Sequence, residues 1–486
     1  MMIVGGCIRL KFMTLFSREV RKMALRCWTN EIISQKFWNE PAETMSRDKL
    51  DAFHLQRLKS LLNYAYHNSR FYRQKWDEIG FHPQDVKTLE DFKTKVPLTD
   101  KKDFLHFQDE NPPYGVTNAV EEDFIAHHCN TSGSTGSPLR IPFTLYDTER
   151  YGESWVYGWW ALGIRPSDSF YFAFNFGSYA GFWSAYWGVR RLGAKVIPGG
   201  GQTTEGHVKN IYEMKPTVLI ATPSYALRIA EEARKMGFDF PNSSIRYTYH
   251  AGEPGPCSIE AIQKQLDEAY GAISGELLGV AELDAIAPGC PYRRGVHMNE
   301  MNSYSWTMDP STGKEAMDGV VGENIITTYV NNAQPLINYR THDLVRAYIH
   351  ENRCGCGRTW RYLDGVVLGR SDYMVTVRAT NVYPSAVENI VLQVPGTTNY
   401  FQLVLTRDAG GLDQMEVIFE PEPDVPESER GTIAGQIQQL LKEKIGLRMK
   451  VSAIEAGSLP RSVEKFKRIV DQRPKDYRRE LDRVQS

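Results

Sequence analysis

Between about residues 120 and 345 the chain alternates short β-rich runs with helical stretches, and this alternation limits the fold more than any other feature. The runs 170–174, 194–197, 217–221, 246–250 and 323–329 are rich in aromatic and β-branched residues. Strands separated by helices pack as a sheet covered by helices, which predicts an α/β fold. Ahead of them, residues 46–79 read as helix. Leu50, Phe53, Leu58, Leu61, Leu62 and Ala65 recur at three-to-four spacing behind Ser46, a candidate N-cap. After about residue 370 the texture changes: 373–378, 402–406 and 415–419 read as strands, 385–392 and 430–444 as helices, and 421–429 as a proline- and acid-rich loop. A large N-terminal domain of α/β subdomains is therefore expected over 37–369 and a small α+β C-terminal domain over 370–486. The boundary falls near Gly369–Asp372, and residues 1–36 read as a poorly structured leader.

The length of 486 residues exceeds what one core sustains, which agrees with two domains. A net charge of −2 without a basic block argues against nucleic acid or an anionic membrane surface as partner. No apolar run approaches the roughly 20 residues of a membrane span. Arg9 and Lys11 interrupt the mildly apolar start, so no signal-peptide core forms and a cytoplasmic location is expected. Seven cysteines in such a compartment should be reduced, metal-bound or catalytic.

Residues 130–138 read Asn-Thr-Ser-Gly-Ser-Thr-Gly-Ser-Pro. Gly133 and Gly136 permit a tight turn whose N–H groups converge on an anion, and Thr131, Ser132, Ser134, Thr135 and Ser137 add hydroxyls. No lysine follows the second glycine, so this is not a Walker loop. Taken alone, the composition suits a phosphate chain and a plain turn before the strand 139–143 equally well.

The loop resembles the phosphate-binding signature of the adenylate-forming superfamily, and further segments in the same order resemble phenylacetate–CoA ligases. These are residues 192–200 and 215–227, Ala251-Gly252-Glu253-Pro254, Tyr339-Arg340-Thr341-His342-Asp343-Leu344, Gly369-Arg370-Ser371-Asp372 with residues 381–385, and Leu459-Pro460-Arg461-Ser462 before Lys465, Lys467 and Arg468. The resemblance runs over roughly residues 37–475. It implies ATP-dependent activation of a carboxylic acid to acyl-AMP with release of pyrophosphate, followed by transfer to coenzyme A.

The resemblance also implies roles. Thr131, Ser132, Gly133, Ser134, Thr135 and Gly136 would hold phosphates, and Gly252, Glu253 and Pro254 the adenine side. Glu282 would help hold Mg²⁺, a hard cation suited to carboxylate oxygen. Asp343 would accept from the ribose hydroxyls, and Arg370 would reach the nucleotide from the hinge side. Lys465 would bridge the substrate carboxylate and the α-phosphate, then leave as the C-terminal domain swings about Asp372. Tyr179, Phe182 and Trp183 fall where the family binds its acid, with Trp155, Trp159, Trp160 and Trp187 nearby, most of them expected in core packing. Aromatic lining suits an aryl or arylacetic acid.

Cys290, His297, Cys354 and Cys356 offer three thiolates and an imidazole, the donor set of a closed structural zinc site. The resemblance supports zinc, since some phenylacetate–CoA ligase-like proteins carry such a cluster.

The pattern breaks in three places. Leu278-Gly279-Val280-Ala281-Glu282 lacks the aromatic and the hydroxyl of the family's Tyr-Gly-x-Ser/Thr-Glu, His342 replaces a glycine, and Ala379-Thr380 stands for Gly-Val beside the pantetheine tunnel. The acceptor is thus coenzyme A or an amine, with a catalytically impaired nucleotide-binding homologue as a further alternative. A homodimer is left open.

Overall fold

The computed structural model describes residues 30–131, 138–174, 176–178, 180–349, 354–371, 375–377, 380–382, 384–407, 413–460 and 469–473. A six-stranded sheet forms the centre, in the order Lys195–Pro198, Ser169–Phe172, Val218–Ala221, Tyr247–His250, Ile273–Val280 and Asp284–Pro288. The first five run parallel, and Asp284–Pro288 folds back antiparallel on its neighbour. Val218–Ala221 is buried at every position, as expected of a parallel strand covered on both faces.

The helices Pro223–Lys235 and Glu260–Tyr270 close one apolar layer over the sheet, and Leu145–Leu162 with Ala180–Leu192 closes another. The latter pair approaches closely because each helix presents a glycine at the crossing. A Cβ on Gly152 would stand 2.7 Å from the Trp187 carbonyl carbon, and one on Gly188 2.9 Å from the Gly152 oxygen.

A five-stranded antiparallel sheet follows, in the order Ser303–Met308, Val321–Thr328, Tyr339–Tyr348, Tyr362–Arg370 and Gly295–His297. The N-terminal helices pack on it through the largest apolar cluster. The predicted helix over 46–79 is two helices, Arg47–Asn68 and Arg70–Glu78, because Ser69 takes extended angles (φ −103°, ψ 117°). Ser46 stands at the predicted N-cap, but its side chain makes no capping hydrogen bond. Within the stretch read as leader, Asn30–Ile33 is a short helix. The Gln35 carbonyl accepts from Trp160 Nε1 at 3.0 Å, and Ile33 O accepts from Arg165 Nε at 2.8 Å.

At the C-terminal side a four-stranded mixed sheet orders Lys450–Ala453, Asp413–Pro421, Thr397–Arg407 and Ile469–Asp471. Pro384–Val391 and Glu427–Ile445 pack on it around Val387, Phe401, Val417 and Ile437, a core separate from those of the N-terminal part. No helix among the described residues is long and apolar enough to cross a membrane.

Candidate active site

Gly252, Glu253, Pro254 and Glu282 follow the carboxyl ends of strands of the central sheet, where open α/β sheets place their ligands. Val218–Ala221 leads into Thr222 and Ser224, Tyr247–His250 into Gly252–Glu253–Pro254, and Ile273–Val280 into Glu282. Gly252 holds φ +89°, a conformation that favours glycine. One oxygen of Glu253 accepts from Ser224 Oγ at 2.6 Å and from its N–H at 3.2 Å. The following loop is pinned from below by Glu276, which accepts from the N–H groups of Gly255, Cys257 and Ser258 and from Ser258 Oγ. Burial pushes the Glu276 pKa up to about 7 despite those donors.

Thr131 and Glu282, far apart in sequence, meet through a residue that the sequence reading missed. Lys101 Nζ donates to Thr131 Oγ1 at 2.9 Å and lies 3.6 Å from Glu282 Oε1. Thr131 Oγ1 also accepts from the Leu139 N–H, which ties off the base of the loop. Lys101 opens the helix Lys101–Glu110 behind the capping box of Asp100 and Asp103. A cation in the first turn opposes the helix dipole, and that mismatch was the one signal available in the sequence. Ser132, Gly133, Ser134, Thr135 and Gly136 lie outside the described residues.

Asp343 and Arg370 stand opposite each other in the ladder between Tyr339–Tyr348 and Tyr362–Arg370, with Arg370 Nη1 3.1 Å from Asp343 Oδ1. His342 has φ +60°, which accounts for a glycine at this position in the family motif. Its Nδ1 lies 3.3 Å from Ser371 Oγ and 3.6 Å from the buried Glu323, which also accepts two hydrogen bonds from Arg340. Pro254 and Leu344 line a cleft of about 410 Å³ facing Ala386 and Asn389 of the C-terminal part.

Trp183 is half-buried, with Nε1 donating to Gly177 O at 2.9 Å and its ring 4.8 Å from that of His127. Trp155, Trp159 and Trp160 are buried in the apolar layer over the sheet, and Trp187 packs beside His127 and Phe143. Tyr179, the side chain of Phe182, and Lys465 lie outside the described residues.

Cys290, His297, Cys354 and Cys356 are all buried, and their donor atoms lie within 4.8 Å of one another. Burial alone would lower the His297 pKa, but hydrogen bonds to Cys290 and Cys356 raise it to about 9. Hydrogen bonding among the sulfurs pulls the Cys356 thiol far down and pushes Cys354 up. His297 Nδ1 faces the Trp360 carbonyl at 3.4 Å, the outer contact that orients a ligating imidazole. The donor set and its burial fit a tetrahedral zinc ion with no open position.

Residues 379–473 match the AMP-binding enzyme C-terminal domain. The phenylacetate–coenzyme A ligase of Thermus thermophilus is 33% identical over 452 residues, covering 89% of this chain and 98% of that protein. The Escherichia coli phenylacetate–coenzyme A ligase is 32% identical over 443 residues, covering 89% and 97%. Among solved structures, 2-hydroxyisobutyryl-CoA ligase in the postadenylation state with 2-HIB-AMP superposes with a TM-score of 0.84 at 29% identity, covering 93% of this chain and 95% of that one. The same ligase with 2-HIB-AMP and CoA in the thioesterification state gives 0.68 at 30% identity over the same shares.

Proposed function

Because this chain belongs to the phenylacetate–CoA ligase family, we propose that it activates a carboxylic acid with ATP as acyl-AMP, releases pyrophosphate, and transfers the acyl group to coenzyme A. The observation that carries this reading is the convergence of Thr131, Lys101 and Glu282 beside the strand ends that bear Gly252–Glu253–Pro254. A carboxylate attacking the α-phosphorus brings two anions together, so the work of the site is positioning and charge neutralisation. Lys101 supplies a fixed cation beside the phosphate loop. Thr131 and residues 132–136 hold the phosphates. Asp343 accepts from the ribose hydroxyls, and Arg370 keeps that carboxylate oriented.

Glu282 is a buried carboxylate that suits Mg²⁺, which shields phosphate charge when bound. Lys465 draws the acid carboxylate to the α-phosphate. Tyr179, Phe182 and Trp183 are assigned to an aryl or arylacetic acid from the family resemblance, with Trp183 half-buried in the structure. The zinc cluster staples Cys290 and His297 to the turn at 354–356 and takes no part in the reaction. Three thiols kept reduced suit the cytoplasm.

The C-terminal domain, from about residue 370, turns about Asp372 between the two half-reactions. Similarity to one ligase falls from 0.84 to 0.68 between its two states, as a change in domain placement produces. A carboxamide-forming reaction gains no support beyond coenzyme A. The test is pyrophosphate release over a panel of aryl and arylacetic acids, with and without coenzyme A. Acid-dependent release with thioester formed only when coenzyme A is present supports the reading. Release stimulated by an amine and not by coenzyme A sinks it.

A further inference from the structure

We propose that Asp284 is the polar end of the acid pocket, and that the acid activated here carries a hydroxyl or amino group that hydrogen-bonds to the Asp284 carboxyl. The proposal rests on the acyl-activating reading above and narrows its substrate class.

Asp284 stands two residues beyond Glu282, at the start of the edge strand Asp284–Pro288. Its φ is +54°, unusual for a residue with a side chain. Such strain collects at ligand sites. The residue is only 4% exposed, and Oδ2 has no hydrogen-bond partner among the described residues. Leaving a buried polar group unpaired is costly, more so if it is charged. A strained backbone and an orphan oxygen at one residue are two independent costs that folding alone does not recover.

The neighbours show what the oxygen faces. The Ser184 hydroxyl and the Ala285 N–H are partners of the Asp284 carboxyl. Ser184 directly follows Phe182 and Trp183 on the helix Ala180–Leu192. Cys129 and Tyr151 are also close enough to feel the Asp284 carboxylate. Cys129 ends two residues before Thr131, and the Asn130 N–H donates to Ser178 O, beside Tyr179.

Asp284 therefore neighbours Cys129 of the strand that enters the phosphate loop and Ser184 of the helix that carries Trp183, and it follows the turn that carries Glu282. An acid with its carboxylate at the α-phosphate extends into that space. A plain hydrocarbon ring there leaves Oδ2 stranded, whereas a donor group satisfies it. Sites built to bond a substrate O–H or N–H discriminate strongly against the analogue that lacks it.

The experiment compares matched acids by pyrophosphate release: phenylacetate against its ring-hydroxylated forms and mandelate, and benzoate against aminobenzoates and hydroxybenzoates. Wild type, Asp284→Asn and Asp284→Gly are assayed, with thermal melts to show folding. Asparagine tolerates the positive φ, and glycine removes both the strain and the carboxyl. Wild type is expected to favour the donor-bearing member of at least one pair by about tenfold or more in kcat/KM, with Asp284→Gly collapsing that ratio. A ratio near one in every pair overturns the proposal without touching acyl activation. So does an equal loss on both members of each pair in both variants, which marks a structural role. Failure of every acid to release pyrophosphate overturns the acyl-activating reading and this proposal together.

Discussion

Arg370 Nη1 sits 3.1 Å from Asp343 Oδ1, and the two residues are direct partners across neighbouring antiparallel strands. Asp343, the proposed ribose ligand, and Arg370, two residues before the proposed hinge at Asp372, are thereby fixed to each other by backbone register rather than by a flexible loop. Asp343→Ala is expected to raise KM for ATP by about 10–100-fold, the range for a lost hydrogen bond to a charged group. Steady-state pyrophosphate release at varied ATP measures it. An unchanged KM removes Asp343 from the ribose site.

Lys101→Ala should slow acyl-AMP formation by on the order of 10²–10³, as expected when one preorganised cation is removed from a site of accumulating negative charge. Thioester formation from synthetic acyl-AMP should be largely retained, because the pyrophosphate has then gone. Lys101→Arg should recover part of the first half-reaction. Equal loss in both halves would mean that Lys101 only supports the base of the loop through Thr131.

About one zinc ion per purified chain is expected at Cys290, His297, Cys354 and Cys356. Cys354→Ser should lower the melting temperature more than it lowers affinity for ATP, since a closed site contributes to folding. Elemental analysis of protein prepared without chelator decides the first point, and a metal-free protein of full stability refutes the site.

These residues also show how far the sequence could be read. The strand runs and the ordered motifs are carried by local composition, so they are visible before folding. The break at Ser69 is not, because its neighbours keep the helical period while Ser69 itself takes extended angles. Lys101 and Asp284 lie in no motif. Their significance arises only when the helix Lys101–Glu110 is brought to Thr131, and when the turn after Glu282 is brought against Ser184. The cysteine cluster could be read from donor types, but its closure across the chain required the strand pairing of Gly295–His297 with Tyr362–Arg370.

Acid stability should depend on Glu300. Burial opposes its ionisation, yet the hydrogen bond from His54 at 3.0 Å and the charge of Arg47 hold its pKa down at about 2, from an ordinary 4.5. A depressed carboxylate contributes stability that is present above 4.5 and lost as pH falls toward 2. The contribution is on the order of 3 kcal/mol. Glu300→Gln should therefore destabilise the protein near neutrality, and its deficit relative to wild type should shrink between those two values. Denaturant titrations at stepped pH measure this. A deficit constant with pH would show that shape, not charge, is what Glu300 supplies.

The last expectation concerns His342, where the family motif has glycine. Its φ of +60° is strained for any residue with a Cβ, at about 1 kcal/mol or more, so something must hold it. What holds it is visible: Nδ1 lies 3.3 Å from Ser371 Oγ and 3.6 Å from buried Glu323, and the Ser371 N–H donates to His342 O at 2.7 Å. Ser371 precedes the proposed hinge at Asp372. His342 thus fastens the last residue before the hinge to the strand that carries Asp343. His342→Gly relieves the strain while removing the side-chain contacts, so melting temperature should change little. The expected change is in the balance of the half-reactions: a freer hinge should raise the rate of thioester formation relative to acyl-AMP formation. Single-turnover rates for each half-reaction, measured separately, give that ratio. If His342→Gly leaves it unchanged, the histidine does not restrain the hinge, and its contacts with Ser371 and Glu323 serve only the local turn.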